Sequence, residues 1–377
     1  MVKDYKGEFM NSEVLAKNMK RARIASGLKQ EEVARKAGLS RLAYLHIENG
    51  KAEPRSGNLL KIARALDISI AELFTPPPSF KSIRFRISKN LSTKEKNIRE
   101  QEITRLSRWL KNYIYLEDAL HENRTYKFSS LKATKSKDTA YAIRKILELD
   151  MKEPVDDLAG LLEKSGIKLY IYPFRWREKF FGMSISQEAG GPVIAVNNSA
   201  TITIERQIFT AAHELGHILL HPNSYDSDQI KENISEEKEA DEFASFFLMP
   251  QEGFDKKWEE TKGLHWIERV LHTKRIFKVS YLTVLHRLVL QGNADDSIYQ
   301  RFSVDYSNKY KHNLKGHFEP HGLQEPDGLV RADFMEDRLN RLVREALEKD
   351  TISLSKAAEI LSKPLSDMYE LVRSWSN

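Results

Sequence analysis

The chain has 377 residues, 41% hydrophobic and 30% charged, which suits two or three domains of roughly 100–200 residues each. It contains no cysteine, so disulfides and thiolate metal sites are excluded and any bound metal must use histidine and carboxylates. No apolar run approaches the roughly 20 residues of a membrane helix. The opening MVKDYKGEFMNSEV lacks the apolar core of a signal peptide, so a cytoplasmic address is expected. The net charge of +6 is unevenly spread: residues 1–80 carry 14 Lys+Arg against 9 Asp+Glu, and residues 81–150 carry 17 against 9. A basic N-terminal part joined to an acidic remainder suits a polyanionic partner at one end.

Residues 12–74 read as five short helices. Val14, Leu15, Met19 and Ile24 form an apolar stripe in the first. Leu28–Gly38 is a helix closed by a glycine turn, and Ser40 caps the next helix up to Asn49. Small Ala34 followed by that turn is what two steeply crossing helices require. Leu59–Leu66 and Leu73-Phe74 close the core. The whole segment resembles the Cro/C1-type (XRE) helix-turn-helix, which implies double-stranded DNA as a partner. The recognition helix would be Ser40–Asn49, with Gln30 at the start of the preceding helix suited to a phosphate or base contact. The DNA-binding candidates are Gln30, Ser40, Arg41, Tyr44, His46, Asn49 and Lys51. Leu42, Ala43 and Leu45 stand where this family usually carries small polar residues; apolar groups there can read thymine methyls or serve a protein partner.

Residues 75–137 are expected to be a connector. It opens with the stiff spacer Thr75-Pro-Pro-Pro-Ser79. A strand-like Ile83–Ile87 and a charged helix over about 93–120 follow, the latter with Ile103, Leu106, Trp109, Leu110 and Ile114 on its apolar face.

From residue 138 the pattern changes to helices at 139–149 and 155–164, with Gly166 as a helix stop. Strand-like runs Ile167–Tyr172, Phe181–Ser186 and Val193–Val196 come next. Two strong helices follow at about 202–220 and 235–248. The first contains His213-Glu214-Leu-Gly-His217. Histidines four apart on a helix share a face and can bind one zinc ion, and Glu214 beside the first is placed to act as general base towards the attacking water. A catalytic zinc needs a third protein ligand. On the second helix Ala240 and Ala244 mark a face that allows close approach, and Glu237 lies on that face with Asp241 one turn further on. Glu237 is therefore the expected third ligand, with Glu239 and Glu236 as alternatives, and Asp241 the expected acceptor for the N–H of His213 or His217. His221 lies about 12 Å along the axis from His213 at 1.5 Å per residue. It is read as the end of the helix, interacting with the C-terminal dipole rather than with the metal.

HELGHILLHP followed by EKEADEFASFFLMP resembles the ImmA/IrrE family of metallopeptidases, as do Leu161–Ile167 and Arg206–Thr210 upstream. The resemblance spans about 138–290. It implies a gluzincin-like zinc endopeptidase whose members typically cleave DNA-binding repressors, and its motif glutamate falls on Glu237. The expected fold class is thus multidomain and mainly α: a five-helix domain at 12–74, an α+β metallopeptidase domain with a small sheet at 138–292, and an irregular and helical region at 293–377. Within that last region 295–330 is expected to lack regular structure, His312, His317 and His321 to be exposed loop residues, and helices to follow near 332–348 and 353–375. The expected function is a DNA-binding regulator with zinc-dependent endopeptidase activity on a protein such as a transcriptional repressor. Homodimerisation is a further expectation; a membrane is not. The alternative is a non-catalytic regulator or antitoxin-like protein whose peptidase-like domain only binds or senses. An intact Glu214 argues against it, because a scaffold needs no general base.

Overall fold

The computed structural model describes residues 6–68, 70–74, 83–85, 93–174, 180–186, 191–225, 233–311, 314 and 325–375. The proline spacer at 75–79 and His312, His317 and His321 lie outside them, as do residues 86 and 87 of the first strand-like run. Among the described residues no helix is long and apolar enough to cross a membrane. The chain divides into two compact units, one of residues 1–79 and 90–111, the other of residues 80–89 and 112–377.

The first unit contains α1 (Lys6–Ala25), α2 (Gln30–Ala37), α3 (Arg41–Glu48), α4 (Ser56–Leu66) and α5 (Ile70–Phe74), and the start of α6 (Thr93–Leu120). Leu15, Met19, Val33, Ala34, Ala37, Ile47, Ile62, Leu66 and Leu73 share one apolar core. This is the arrangement the helical spacing of those residues requires, since each short helix is marginal alone and is held by burying one stripe. Glu48 is buried at the centre of this unit. It takes Arg23 Nε at 2.5 Å and the Tyr44 hydroxyl at 3.1 Å, and it also accepts from the Gln30 amide. A buried carboxylate is tolerable only with such a full set of donors.

The second unit holds α7 (Ser136–Ile146), α8 (Leu158–Lys164), α9 (Ile204–Leu220), α10 (Ile234–Leu248), α11 (Gln251–Glu260), α12 (Trp266–Phe277) and α13 (Tyr281–Leu290). Strands β1 (Ile83–Phe85), β2 (Lys168–Tyr172), β3 (Gly182–Ile185) and β4 (Val193–Asn197) form a sheet of order β1-β3-β4-β2. β2 runs parallel to β4, while β3 is antiparallel to both β4 and β1. Every residue of β4 is buried, the mark of a strand covered on both faces.

The stretch 295–330 departs from expectation. Residues Ser297–Tyr310 form a helix, α14, whose Ile298 and Phe302 enter the same core as the sheet and α9. Its polar sequence hides an apolar stripe of one residue per turn, with Phe302 stacked on Tyr281 at a centroid distance of 4.9 Å. The C-terminal end is α15 (Arg338–Glu348), α16 (Leu354–Ile360) and α17 (Leu365–Trp375). Ala357, Ala358, Ile360 and Met368 are buried, in keeping with plain helix packing.

Charged side chains tie distant parts of this unit together. Arg338 on α15 donates to Glu117 at 2.5 Å and to the Tyr113 hydroxyl at 2.9 Å, both near the end of α6, and Lys168 of β2 lies 3.2 Å from Glu117. Beside them Glu163 is buried. Desolvation, with the charge of Glu336, pushes its carboxyl from 4.5 up to about 8. A carboxyl raised in the folded state holds a proton that the unfolded chain releases, so its contribution is full below pH 4.5 and is lost as pH rises to about 8. Glu163→Gln should therefore match the wild type at pH 5 and melt a few degrees higher at pH 8, which thermal unfolding across that range will read.

Candidate metal centre

Helix α9 is built to be buried. Thr203 caps it by accepting from the Arg206 N–H at 3.3 Å. Glu205 in its first turn is also buried and accepts from Lys274 Nζ at 2.9 Å and Leu329 N–H at 2.8 Å. Ala211, Ala212, Leu215, Ile218 and Leu219 fill the core around it. Helix α10 starts at Asn233, whose side chain accepts from the Ser235 N–H at 3.1 Å. Glu236 and Glu237 sit in its first turn, where the helix dipole favours negative charge. Its last carbonyls, which no helical donor can reach, are taken by two buried guanidinium groups. Arg144 donates to Phe247 O at 2.7 Å, and Arg287 donates to Met249 O at 2.8 Å and to the Ser245 hydroxyl at 2.7 Å.

These two helices meet at Gly216 and Ala240. A Cβ on Gly216 would stand 3.0 Å from the Phe243 ring and 3.3 Å from Ala240 Cα, so a larger residue would push these neighbours back by a few tenths of an ångström. That approach brings His213, His217 and Glu237 together. The two Nε2 atoms face each other at 3.0 Å, with Glu237 Oε2 3.3 Å from His213 Nε2 and Glu237 Oε1 3.2 Å from His217 Nε2. All three residues are buried, and one ligand atom from each lies within 4.8 Å of the others. Two imidazole nitrogens and one carboxylate, converging from two helices with no sulfur among them, are the donor set of an open zinc site. Burial alone would push the Glu237 carboxyl up, but hydrogen bonds and attraction from His213 and His217 outweigh it and hold the group well below its ordinary range. It therefore stands ionised, the state that metal coordination would require.

Asp241 Oδ1 lies 2.7 Å from His213 Nδ1, so His213 is the histidine whose outer nitrogen this carboxylate faces. The two alternative glutamates point elsewhere: Glu239 to His221 Nε2 at 3.1 Å and Glu236 to the Ser224 hydroxyl at 2.9 Å. His221 ends α9 as expected, with its N–H on His217 O at 3.0 Å. Its ring is not directed at the helix end, however; it lies against His217, Nδ1 to Nδ1 at 3.0 Å.

Glu214 is buried next to the cluster and accepts from the Ser184 hydroxyl at 2.7 Å, and the Tyr225 hydroxyl donates to Ser184 at 2.9 Å. Sequence reading missed both Ser184 and Tyr225. The strand pattern over 181–186 gave the element but not which of its side chains meets Glu214, and nothing in the sequence singles out Tyr225. β3 can lie this close to α9 because residue 182 is glycine. A Cβ there would meet Thr210 Cγ2 at 2.5 Å and Glu214 Cγ at 3.3 Å.

In the first unit Ser40 caps α3, accepting from the Ala43 N–H at 3.1 Å. Arg41, His46, Asn49 and Lys51 are exposed along α3 and the turn after it, and Leu42 is 61% exposed between them. Tyr44 is a correction. It is fully buried, with its hydroxyl on Glu48, because position 44 falls on the inward stripe with Ile47 and not on the outer face. Gln30 is half-buried, and its amide donates to the same Glu48.

The fold and these two sites define a helix-turn-helix protein that also carries a peptidase-type domain. Comparison with family models agrees: residues 19–73 match the helix-turn-helix family and residues 162–289 match the IrrE N-terminal-like domain of peptidase family M78. The chain thus carries an XRE-type helix-turn-helix domain over residues 19–73 and an IrrE-like domain over residues 162–289. No curated protein matches it.

The close approach of β3 to α9 has a direct test. Gly182→Ala should cost about 1–3 kcal/mol through overpacking against Thr210 and Glu214, which lowers the melting temperature by several degrees. An unchanged melting temperature would mean that β3 can move off α9 freely.

Proposed function

We propose that this chain is a DNA-binding regulator whose IrrE-like domain is a zinc endopeptidase acting on a protein substrate, a DNA-binding repressor being the expected kind. The observation that carries this reading is the meeting of His213 Nε2, His217 Nε2 and a Glu237 carboxylate oxygen within 4.8 Å, with Glu214 one residue from the first of them. The metal ligands are His213, His217 and Glu237. Asp241 accepts the Nδ1–H of His213 and so leaves Nε2 bare towards the cation. Zinc bound here supplies Lewis acidity that polarises a peptide carbonyl and makes water easier to deprotonate. Glu214 takes the proton from the attacking water and passes it to the leaving amine. Ser184, donating to one Glu214 oxygen at 2.7 Å, fixes the carboxylate for that transfer.

Mass spectrometry of the purified protein tests the metal assignment. One zinc per chain is expected in the wild type and in Glu214→Gln, with zinc lost or strongly weakened in His217→Ala and Glu237→Ala. Cleavage of a co-encoded DNA-binding protein should be lost in Glu214→Gln. Zinc retained by Glu237→Ala would contradict the ligand set, and phenotypes unchanged in Glu214→Gln would favour a binding or sensing role over catalysis.

The N-terminal domain is of a DNA-binding class, and its outer face supports Ser40, Arg41, His46, Asn49 and Lys51 as the contact residues. Leu42, exposed between them, suits a thymine methyl. Arg41→Ala combined with Lys51→Ala should weaken DNA binding and reduce the dependence of log K on log salt by about one to two. Tyr44→Phe should instead lower stability, leaving that slope unchanged, as measured by fluorescence anisotropy over a salt series.

A further inference from the structure

The third histidine of the motif has no part in the reading above, yet its ring is held in a defined place. His221 is 8% exposed. Its Nδ1 lies 3.0 Å from His217 Nδ1 and its Nε2 3.1 Å from Glu239 Oε2. Glu239 is half-exposed and is itself oriented by the Ser235 hydroxyl, which donates to Oε1 at 3.1 Å. The backbone fixes the ring's origin: the His221 N–H bonds to His217 O at 3.0 Å, and the His221 carbonyl accepts from the Ser224 N–H at 3.0 Å.

Proton placement along this row follows from one requirement. A ring nitrogen that faces a cation must be bare, and His217 Nε2 is the nitrogen facing His213 Nε2 and Glu237. The proton of a neutral His217 then sits on Nδ1, so His217 donates to His221 Nδ1. That nitrogen must accept, so the proton of His221 sits on Nε2 and is donated to the Glu239 carboxylate. Each proton has one place, and the row ends on a charge that stabilises it. His213 achieves the same tautomer more simply, by donating straight to Asp241 at 2.7 Å. One histidine is thus supported by a carboxylate directly and the other through an intervening imidazole.

We infer that His221 and Glu239 are positioning residues that lock His217 in the tautomer and orientation that present Nε2 to the metal. The inference rests on the metal reading proposed above. It differs from a packing role in its chemistry: an apolar side chain of similar size would fill the space beside His217 but could not accept the Nδ1–H.

Zinc affinity, measured by chelator competition, and the visible spectrum of the cobalt-substituted protein are the readouts, taken on the full chain. His221→Ala should weaken zinc binding about 10–100-fold and shift the cobalt bands. His221→Gln, whose amide keeps one acceptor and one donor, should recover most of that loss. Glu239→Gln, at a half-exposed position that does not endanger folding, should shift affinity and spectrum in the same direction by less. If the wild type binds one zinc and His221→Ala, still folded, matches it in affinity and spectrum, the positioning role is overturned while the metal site stands. Should His221→Ala fail to fold, an unchanged affinity and spectrum in Glu239→Gln overturns it instead. A wild type that takes up no zinc overturns both readings.

Discussion

The contact between Gly216 and Ala240 sets the geometry on which the rest of the peptidase-type domain depends. A helix pair this close is possible only where neither side chain intrudes, and a Cβ on Gly216 would already stand 3.3 Å from Ala240 Cα. Once the backbones approach, helical periodicity does the remainder. His213 and His217 flank Gly216 on α9, and Glu237 and Asp241 flank Ala240 on α10, so three buried side chains from two helices converge on one point, with the half-exposed Asp241 beside them. Burying that many ionisable groups is unfavourable unless each is matched. Each has a partner in the structure: Asp241 for His213, His221 for His217, both imidazoles for Glu237, and Ser184 for Glu214.

Such an arrangement must also be rigid, and the supports are buried cations at helix ends. Arg144 and Arg287 occupy the terminal carbonyls of α10, where a positive charge meets the negative end of the dipole. Lys274, fully buried, bonds to Glu205 in the first turn of α9 and to the carbonyls of Pro326 and Asp327. Both site helices are thereby fixed by charges far from the site in sequence. In the first unit a buried anion plays the matching part, where Glu48 gathers Arg23, Gln30 and Tyr44. In both units polar groups at the core define the helix packing that presents functional side chains.

What could be read from the sequence was what local periodicity encodes. Histidines four apart share a helical face wherever the helix sits. Ala240 and Ala244 marked the side of α10 that packs closely, which pointed to Glu237 over Glu239 and Glu236; in the structure those two face His221 and Ser224. The five short helices of the first unit followed from their apolar stripes and turns. What could not be read depended on contacts distant in sequence or on a rotation of one residue around a helix. Tyr44 looked like an outward polar residue beside His46, but it lies on the inward stripe with Ile47. Helix α14 was hidden because Ile298 and Phe302 are thinly spaced among polar residues, and only the core they join explains them. The meeting of Ser184 with Glu214 spans thirty positions and needs the close approach at Gly182. His221 was placed correctly at the end of α9, but the direction of its ring depends on Glu239 of another helix.

X-ray absorption at the zinc edge of the metal-loaded full chain tests the central claim most directly, because it counts the ligands α9 and α10 supply. Two imidazole nitrogens at about 2.0–2.1 Å with oxygen completing the shell are expected, and after His217→Ala either no bound zinc or a single imidazole contribution. A wild-type spectrum with three imidazoles would place His221 on the metal and contradict the account. So would a two-imidazole spectrum that survives His217→Ala.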